Sequence, residues 1–297
     1  MMLKKHTMKR RKFIQYSSMA VGGMLLPSLV GCVPGEIAKT PIGLQLYTLR
    51  DIIKKDVKGT LEEVARIGYK NIETYGYADE KIFDIPFSDF VKIANDLGLN
   101  IVSGHYSTGF NSTATGNLRN GWEQAVRDAK AAGQKYVVIP SLDSGESKTI
   151  DDYKKACELL NKGGEVCLNY GIKLGFHNHN TEFVKMEDQI PYDVMLAELD
   201  PSLVTMELDL YWIVRGGYNP LDYFKKYPGR FELWHVKDMN KTDPTQTTSP
   251  GSGSINFHEI FNHAEHAGMK ACFVEIEDYE VSEYDSIKKG FEHLNNF

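Results

Sequence analysis

One local pattern recurs along this chain and limits what it can fold into. A helix-like segment runs into a glycine, and a β-rich run begins within a few residues. It reads ARIGYKNIE at 65–73, NDLGLNIVS at 95–103, KAAGQKYVV at 130–138, LNYGIKLGF at 168–176, KYPGRFELW at 226–234 and EHAGMKACF at 265–273. Glycine just past a helix adopts the left-handed conformation without a Cβ clash. Gly68, Gly98, Gly133, Gly171, Gly229 and Gly268 therefore mark six helix-to-strand joints. A seventh has Asp200-Pro201 before LVTMELDL, and proline likewise stops a helix. With a first strand at 43–47, eight strands are expected near 42–47, 71–75, 100–105, 135–140, 172–177, 203–209, 231–236 and 271–276. Helical spacing fills the gaps, as where Leu61, Val64, Ala65 and Ile67 share one side. Helices alternating strictly with apolar strands argue a parallel sheet. Eight such units in about 260 residues is the size of a single-domain (β/α)8 TIM barrel, an α/β fold. An open doubly wound sheet would want a Gly-rich phosphate turn after the first strand, and LQLYTLRD follows instead.

The barrel makes a positional claim, because its active sites lie at the C-terminal ends of the strands. Polar residues collect there: Glu73 after strand two, His105 after three, His177 and His179 after five, Glu207 and Asp209 after six, His235 and Lys237 after seven, and Glu275 and Glu277 after eight. In GFHNHNTEF, residues 175–183, alternation puts His177 and His179 on one face with Glu182 just beyond. Neutral imidazole beside carboxylate is divalent-metal chemistry, so these strand ends are expected to converge on one metal. Each residue also has a plainer reading. Lys237 would form an ion pair with Asp238 or Glu277, His105 would be a capped core histidine, and Glu73 and Glu207 would orient their neighbours. Tyr47, Tyr75, Tyr106, Tyr211 and Trp212 lie at strand ends, where they would stack on a sugar face or simply pack. The longest stretch without a structural signal, 239–256, falls after strand seven on the same face. It is expected to cover a substrate; the alternative is a flexible surface insertion.

Residues 1–31 are set apart from the fold. Lys4, Lys5, Lys9, Arg10, Arg11 and Lys12 precede a short apolar run over 19–30, the order of an export signal. Arg10-Arg11-Lys12-Phe13-Ile14 resembles a twin-arginine signal, and Leu29-Val30-Gly31-Cys32 resembles a bacterial lipobox in which Cys32 is acylated. The expected organisation is a signal at 1–31, a short linker at 32–40 and the barrel at 41–297, in an exported protein that is periplasmic or anchored to the membrane only by lipid. Removing the six positive charges of the signal takes the net charge from −6 to −12. A domain this acidic is a poor partner for a phosphate backbone, so no nucleic-acid partner is expected. Cys157 and Cys167 fall on one predicted helix, about 15 Å apart along its axis, too far to pair. Cys157, Cys167 and Cys272 are expected as buried free thiols.

Taken in order, GLQLYTLRD, IETYGY, HNHNTEF, LDLYW followed by GG, HVKD, GSGSINF and VEIED resemble the xylose isomerase-like TIM-barrel superfamily, in its sugar phosphate isomerase/epimerase branch. The resemblance covers residues 42–297. It implies a divalent cation at the barrel mouth, held by an acidic residue of strand five, an acidic residue of strand six, a histidine of strand seven and a glutamate of strand eight. By position these are Asp209, His235 and Glu275, but strand five departs. His177 stands where the acid is usual, His179 follows, and Glu182 lies in the next loop. The metal is then held through a histidine, through Glu182, or not at all. Two imidazoles with two or three carboxylates favour Mn²⁺, Zn²⁺, Fe²⁺ or Co²⁺ over Mg²⁺.

The chemistry implied is proton abstraction beside a carbonyl of a sugar or keto-sugar, with an enediolate intermediate and epimerisation or isomerisation as the outcome. Glu275, Glu182, His105 and Lys237 are the catalytic candidates. His177, His179, Asp209, His235 and Glu275 are the metal candidates. Glu73, Trp212, Glu207 and Glu277 are the substrate-binding candidates. Expulsion of a β-leaving group on the same site would make a lyase or dehydratase. A non-catalytic carbohydrate-binding lipoprotein is the reading from another class. The oligomeric state is left open.

Overall fold

The computed structural model describes residues 42–296, so the expected signal, Cys32 and the linker lie outside the described residues. Eight parallel strands close into one barrel: β1 (Gly43–Gln45), β2 (Asn71–Tyr75), β3 (Asn100–His105), β4 (Tyr136–Ile139), β5 (Lys173–His177), β6 (Val204–Asp209), β7 (Leu233–Val236) and β8 (Ala271–Val274). Each strand pairs with its sequence neighbours, and β8 closes on β1 with Gly43 opposite Phe273. Among the described residues ten α-helices surround it: α1 (Val57–Ile67), α2 (Phe87–Asp96), α3 (Trp122–Ala131), α4 (Ile150–Asn169), α5 (Pro191–Glu198), α6 (Leu210–Arg215), α7 (Pro220–Lys226), α8 (Phe257–Phe261), α9 (Ala264–Ala267) and α10 (Glu283–Leu294).

All six glycine joints have positive φ. At Gly268 the requirement is double. Its φ is +88°, and a Cβ there would fall 2.8 Å from the Cα of Gly229, the neighbouring joint. The approach to β8 therefore needs glycine at 268.

Strand one is shorter than expected. The Gln45 side chain accepts from the Tyr47 N–H and turns the chain into a 3-10 helix over Leu46–Leu49. The stretch 239–256 is not a flexible insertion. Asp238–Met239 pairs antiparallel with Thr247–Thr248, and the buried Asp238 carboxylate accepts from the N–H groups of Met239, Gly251, Gly253 and Ile255 at 2.8–3.1 Å. Thr247 donates to Asp278 and accepts from Glu277 and Asp278, which ties the arch to the chain beyond β8. Sequence reading misses this because the anchor is one aspartate just outside the polar run.

Cys157 and Cys167 on α4 and Cys272 on β8 are buried and free, as expected. No helix among the described residues is long and apolar enough to cross a membrane.

Candidate active site at the barrel mouth

Alternation along β6 turns Glu207 and Asp209 to the same inward face, and both are fully buried. Asp209 is also the N-cap of α6. Its Oδ1 accepts from the N–H groups of Tyr211 and Trp212 at 2.8 and 2.9 Å. Asn178, between the two strand-five histidines, accepts from the Asp209 N–H at 3.0 Å. Asp209 is therefore fixed on three sides, and its Oδ2 has no hydrogen-bond partner among the described residues.

Around these carboxylates the polar side chains form two tiers. In the outer tier Lys237 Nζ lies 3.2 Å from Asp209, 3.0 Å from Glu275 and 2.6 Å from Glu277. It also stands 5.3 Å from the Trp212 ring. The Lys237 partners are thus Asp209, Glu275 and Glu277, whereas Asp238 is spent on the arch. In the inner tier His235 spans between levels. Its Nδ1 is 2.6 Å from Glu275 and its Nε2 is 2.6 Å from Glu73. His105 Nε2 is 2.9 Å from Glu207 and 3.2 Å from Glu73. His177 Nδ1 lies 3.3 Å from Glu207 without hydrogen-bond alignment, and its Nε2 is 3.9 Å from Asp209. Gln45, which sequence reasoning did not single out, donates to Glu73 at 2.7 Å. Both Gln45 and Asn178 belong to motifs whose neighbours drew the attention.

The electrostatics follow from five carboxylates, of which three share Lys237 and two, Glu73 and Glu207, have their described ion pairs with histidines. Burial works against charge on Glu73, but His105 and His235 hold its carboxyl well below the usual range. Burial and the nearby Glu73 push Glu207 up to about 7. Burial, only partly offset by Lys237, pushes Asp209 up to about 6. Glu275 is held low because Lys237 and His235 outweigh burial. His105 rises to about 9 because Glu73 and Glu207 outweigh burial, whereas burial and Lys237 take His179 down to about 4.

Two sequence candidates stand apart. His179 packs its ring 5.0 Å from His177 and 5.3 Å from Trp212, on the expected side, but it belongs to neither group of ligand atoms able to hold an ion. Glu182 is buried and spends its oxygens on the His179 N–H and the Thr181 hydroxyl within its own loop. No described hydrogen bond or ion pair joins it to the cluster. Among the aromatics, Tyr106 and Tyr211 are buried packing residues, while Tyr47 is exposed on the rim.

The ligand atoms of Asp209, His235 and Glu275 lie within 4.8 Å of one another. Buried oxygens and a ring nitrogen converging there, with Asp209 Oδ2 free of any aligned hydrogen bond, are a donor set suited to a divalent ion.

A family model described as xylose isomerase-like TIM barrel matches residues 61–297. A structure described as a sugar phosphate isomerase/epimerase from Parabacteroides distasonis has a TM-score of 0.75 and 28% identity, covering 89% of this chain and 96% of that one. A protein named inosose dehydratase from Clostridium botulinum is 30% identical over 46% of this chain and 55% of its own length. The chain spans about half the length of the curated relatives it matches. IolI, solved with a bound zinc atom, has a TM-score of 0.66 at 18% identity over 86% of this chain and 96% of its own, a likeness of fold.

Proposed function

Because the chain belongs to the xylose isomerase-like TIM-barrel family, we propose that it is a metal-dependent enzyme acting on a sugar or keto-sugar, taking a proton from the carbon beside a carbonyl. The observation that carries this reading is the convergence of buried ligand atoms of Asp209, His235 and Glu275 at the barrel mouth, where Asp209 Oδ2 has no aligned hydrogen bond and faces Lys237 Nζ at 3.2 Å. Asp209, His235 and Glu275 would hold the ion, with His177 next to Asp209. A bound divalent ion supplies Lewis acidity toward a substrate carbonyl. Lys237, kept charged by three carboxylates, offers an ammonium to a substrate oxygen. His105 is held by Glu207, and Trp212 presents a ring beside both Lys237 and His179. Glu182 acts by fixing the His179 backbone. The arch at 239–256 forms one wall of the substrate entrance.

Isomerisation or epimerisation is the first outcome of such a step, supported by the isomerase/epimerase name of the structural relative. Elimination of a β-hydroxyl is the second, favoured by the relatives named inosose dehydratase. Export through the 1–31 segment belongs to the same reading. It argues for an unphosphorylated substrate, because phosphosugars are cytoplasmic.

The test is metal analysis with deuterium exchange. Purified protein should carry about one transition metal at Asp209–His235–Glu275, and Asp209→Ala should lose it. Exchange at the carbon beside the carbonyl of candidate keto-sugars, followed by NMR in D₂O, should fall on the order of a hundredfold in that variant. A protein that binds such sugars yet never exchanges is a binding protein, and the enzymatic reading then fails.

A further inference from the structure

Below the Asp209–His235–Glu275 group lies a second one that the proposed chemistry leaves unused as a ligand set. Glu207 Oε2 is 2.9 Å from His105 Nε2, 3.3 Å from His177 Nδ1 and 3.3 Å from His235 Nε2. Ligand bonds of about 2.0–2.1 Å in a tetrahedral site put neighbouring ligand atoms roughly 3.3 Å apart. Two of the three separations have that length, and the third is slightly shorter. One ligand atom from each of His105, His177, Glu207 and His235 lies within 4.8 Å of all the others.

Burial and hydrogen bonding point the same way. Glu207 and His235 are fully buried and His177 is 2% exposed. Yet His177 Nδ1, Glu207 Oε1 and the nearby Glu73 Oε2 have no hydrogen-bond partner among the described residues. A buried polar atom left unpaired costs about 1–3 kcal/mol, and three in one pocket are poorly explained by packing alone. The outer carboxylates Asp209 and Glu275 already have Lys237 as a cation, whereas the described ion pairs of Glu207 are all with histidines.

We propose that His105, His177, Glu207 and His235 form a second cation site, one residue layer deeper than the Asp209–His235–Glu275 site. Three imidazoles and one carboxylate suit a borderline ion such as Zn²⁺ rather than Mg²⁺. His235 serves both levels, with Nε2 turned to the deep site and Nδ1 to Glu275. Glu73 Oε1, 3.2 Å from His105 Nε2 and 2.6 Å from His235 Nε2, stands by as a fifth ligand atom.

The experiment uses the full chain, stripped with a chelator and titrated with Zn²⁺ and with Co²⁺. Wild type should take up two ions per chain. His105→Gln and His177→Gln should each lose the deep ion, and Glu275→Gln should keep it. The Co²⁺-loaded protein should show the intense visible absorption of a tetrahedral site, lost in His105→Gln and kept in Glu275→Gln. Uptake of one ion that depends on Glu275 and is indifferent to His105→Gln would overturn the proposal, as would no uptake. One ion that depends on His105 but not on Glu275 upholds it and instead removes the outer site. The wild-type Co²⁺ spectrum alone decides if a variant fails to fold: no tetrahedral band, no deep site.

Discussion

At the residue scale His105 shows how the network divides its protons. Glu73 and Glu207 lie 3.2 and 2.9 Å from the same ring nitrogen. Against burial, they raise the imidazole from its ordinary 6.5 to about 9 in the metal-free chain. A raised histidine contributes stability that is fully present below the unfolded value and is lost as pH rises through the folded one. In chelated protein the unfolding free-energy gap between wild type and His105→Gln should therefore shrink as pH goes from 6.5 to about 9. The change should be on the order of 3 kcal/mol at most. Urea unfolding across that range measures it, and a flat gap would mean that the folded ring is neutral. The same residue shows a limit of sequence reading. Its strand end and inward direction are legible from SGH before a loop, but its partners come from β2 and β6, far away in sequence.

At the element scale the arch at 239–256 depends on Asp238. Four backbone N–H groups converge on one buried carboxylate, and hydrogen bonds to a charged group are each worth about 1.5–3 kcal/mol. Asp238→Asn removes the charge and one acceptor oxygen. It should lower stability by about 2 kcal/mol and speed amide hydrogen exchange at Gly251, Gly253 and Ile255 while leaving the α4 amides protected. Uniform loss of protection would place Asp238 in the global core instead. The helix-to-strand joints were legible because glycine and proline report local backbone geometry directly. Seven of the eight strands follow from them to within about two residues. The arch was not legible, since Asp238 reads as one more charged residue after HVK. Nor was the depth of the histidines. Period-two alternation states which face a side chain takes, not which tier it meets across a barrel.

At the scale of the whole molecule, the fold and the mouth explain a cluster but not its address. The proposed acylation at Cys32 has its own test. Metabolic labelling with a radioactive fatty acid should mark the protein and direct it to the membrane fraction, and Cys32→Ala should abolish both. Label retained in that variant would overturn the lipobox reading. The three thiols of the barrel add a consequence of a different kind. Cys157, Cys167 and Cys272 are shut away on α4 and β8, where burial pushes each thiol up to about 12 and so suppresses the reactive thiolate. That protection lasts only while the barrel is closed. In an oxidising compartment each opening exposes an odd set of sulfurs with no native bridge to form. Any cross-link made then is a wrong one, and it blocks the way back. The working lifetime of such a chain is set by how rarely it opens, so its durability is a rate rather than an equilibrium.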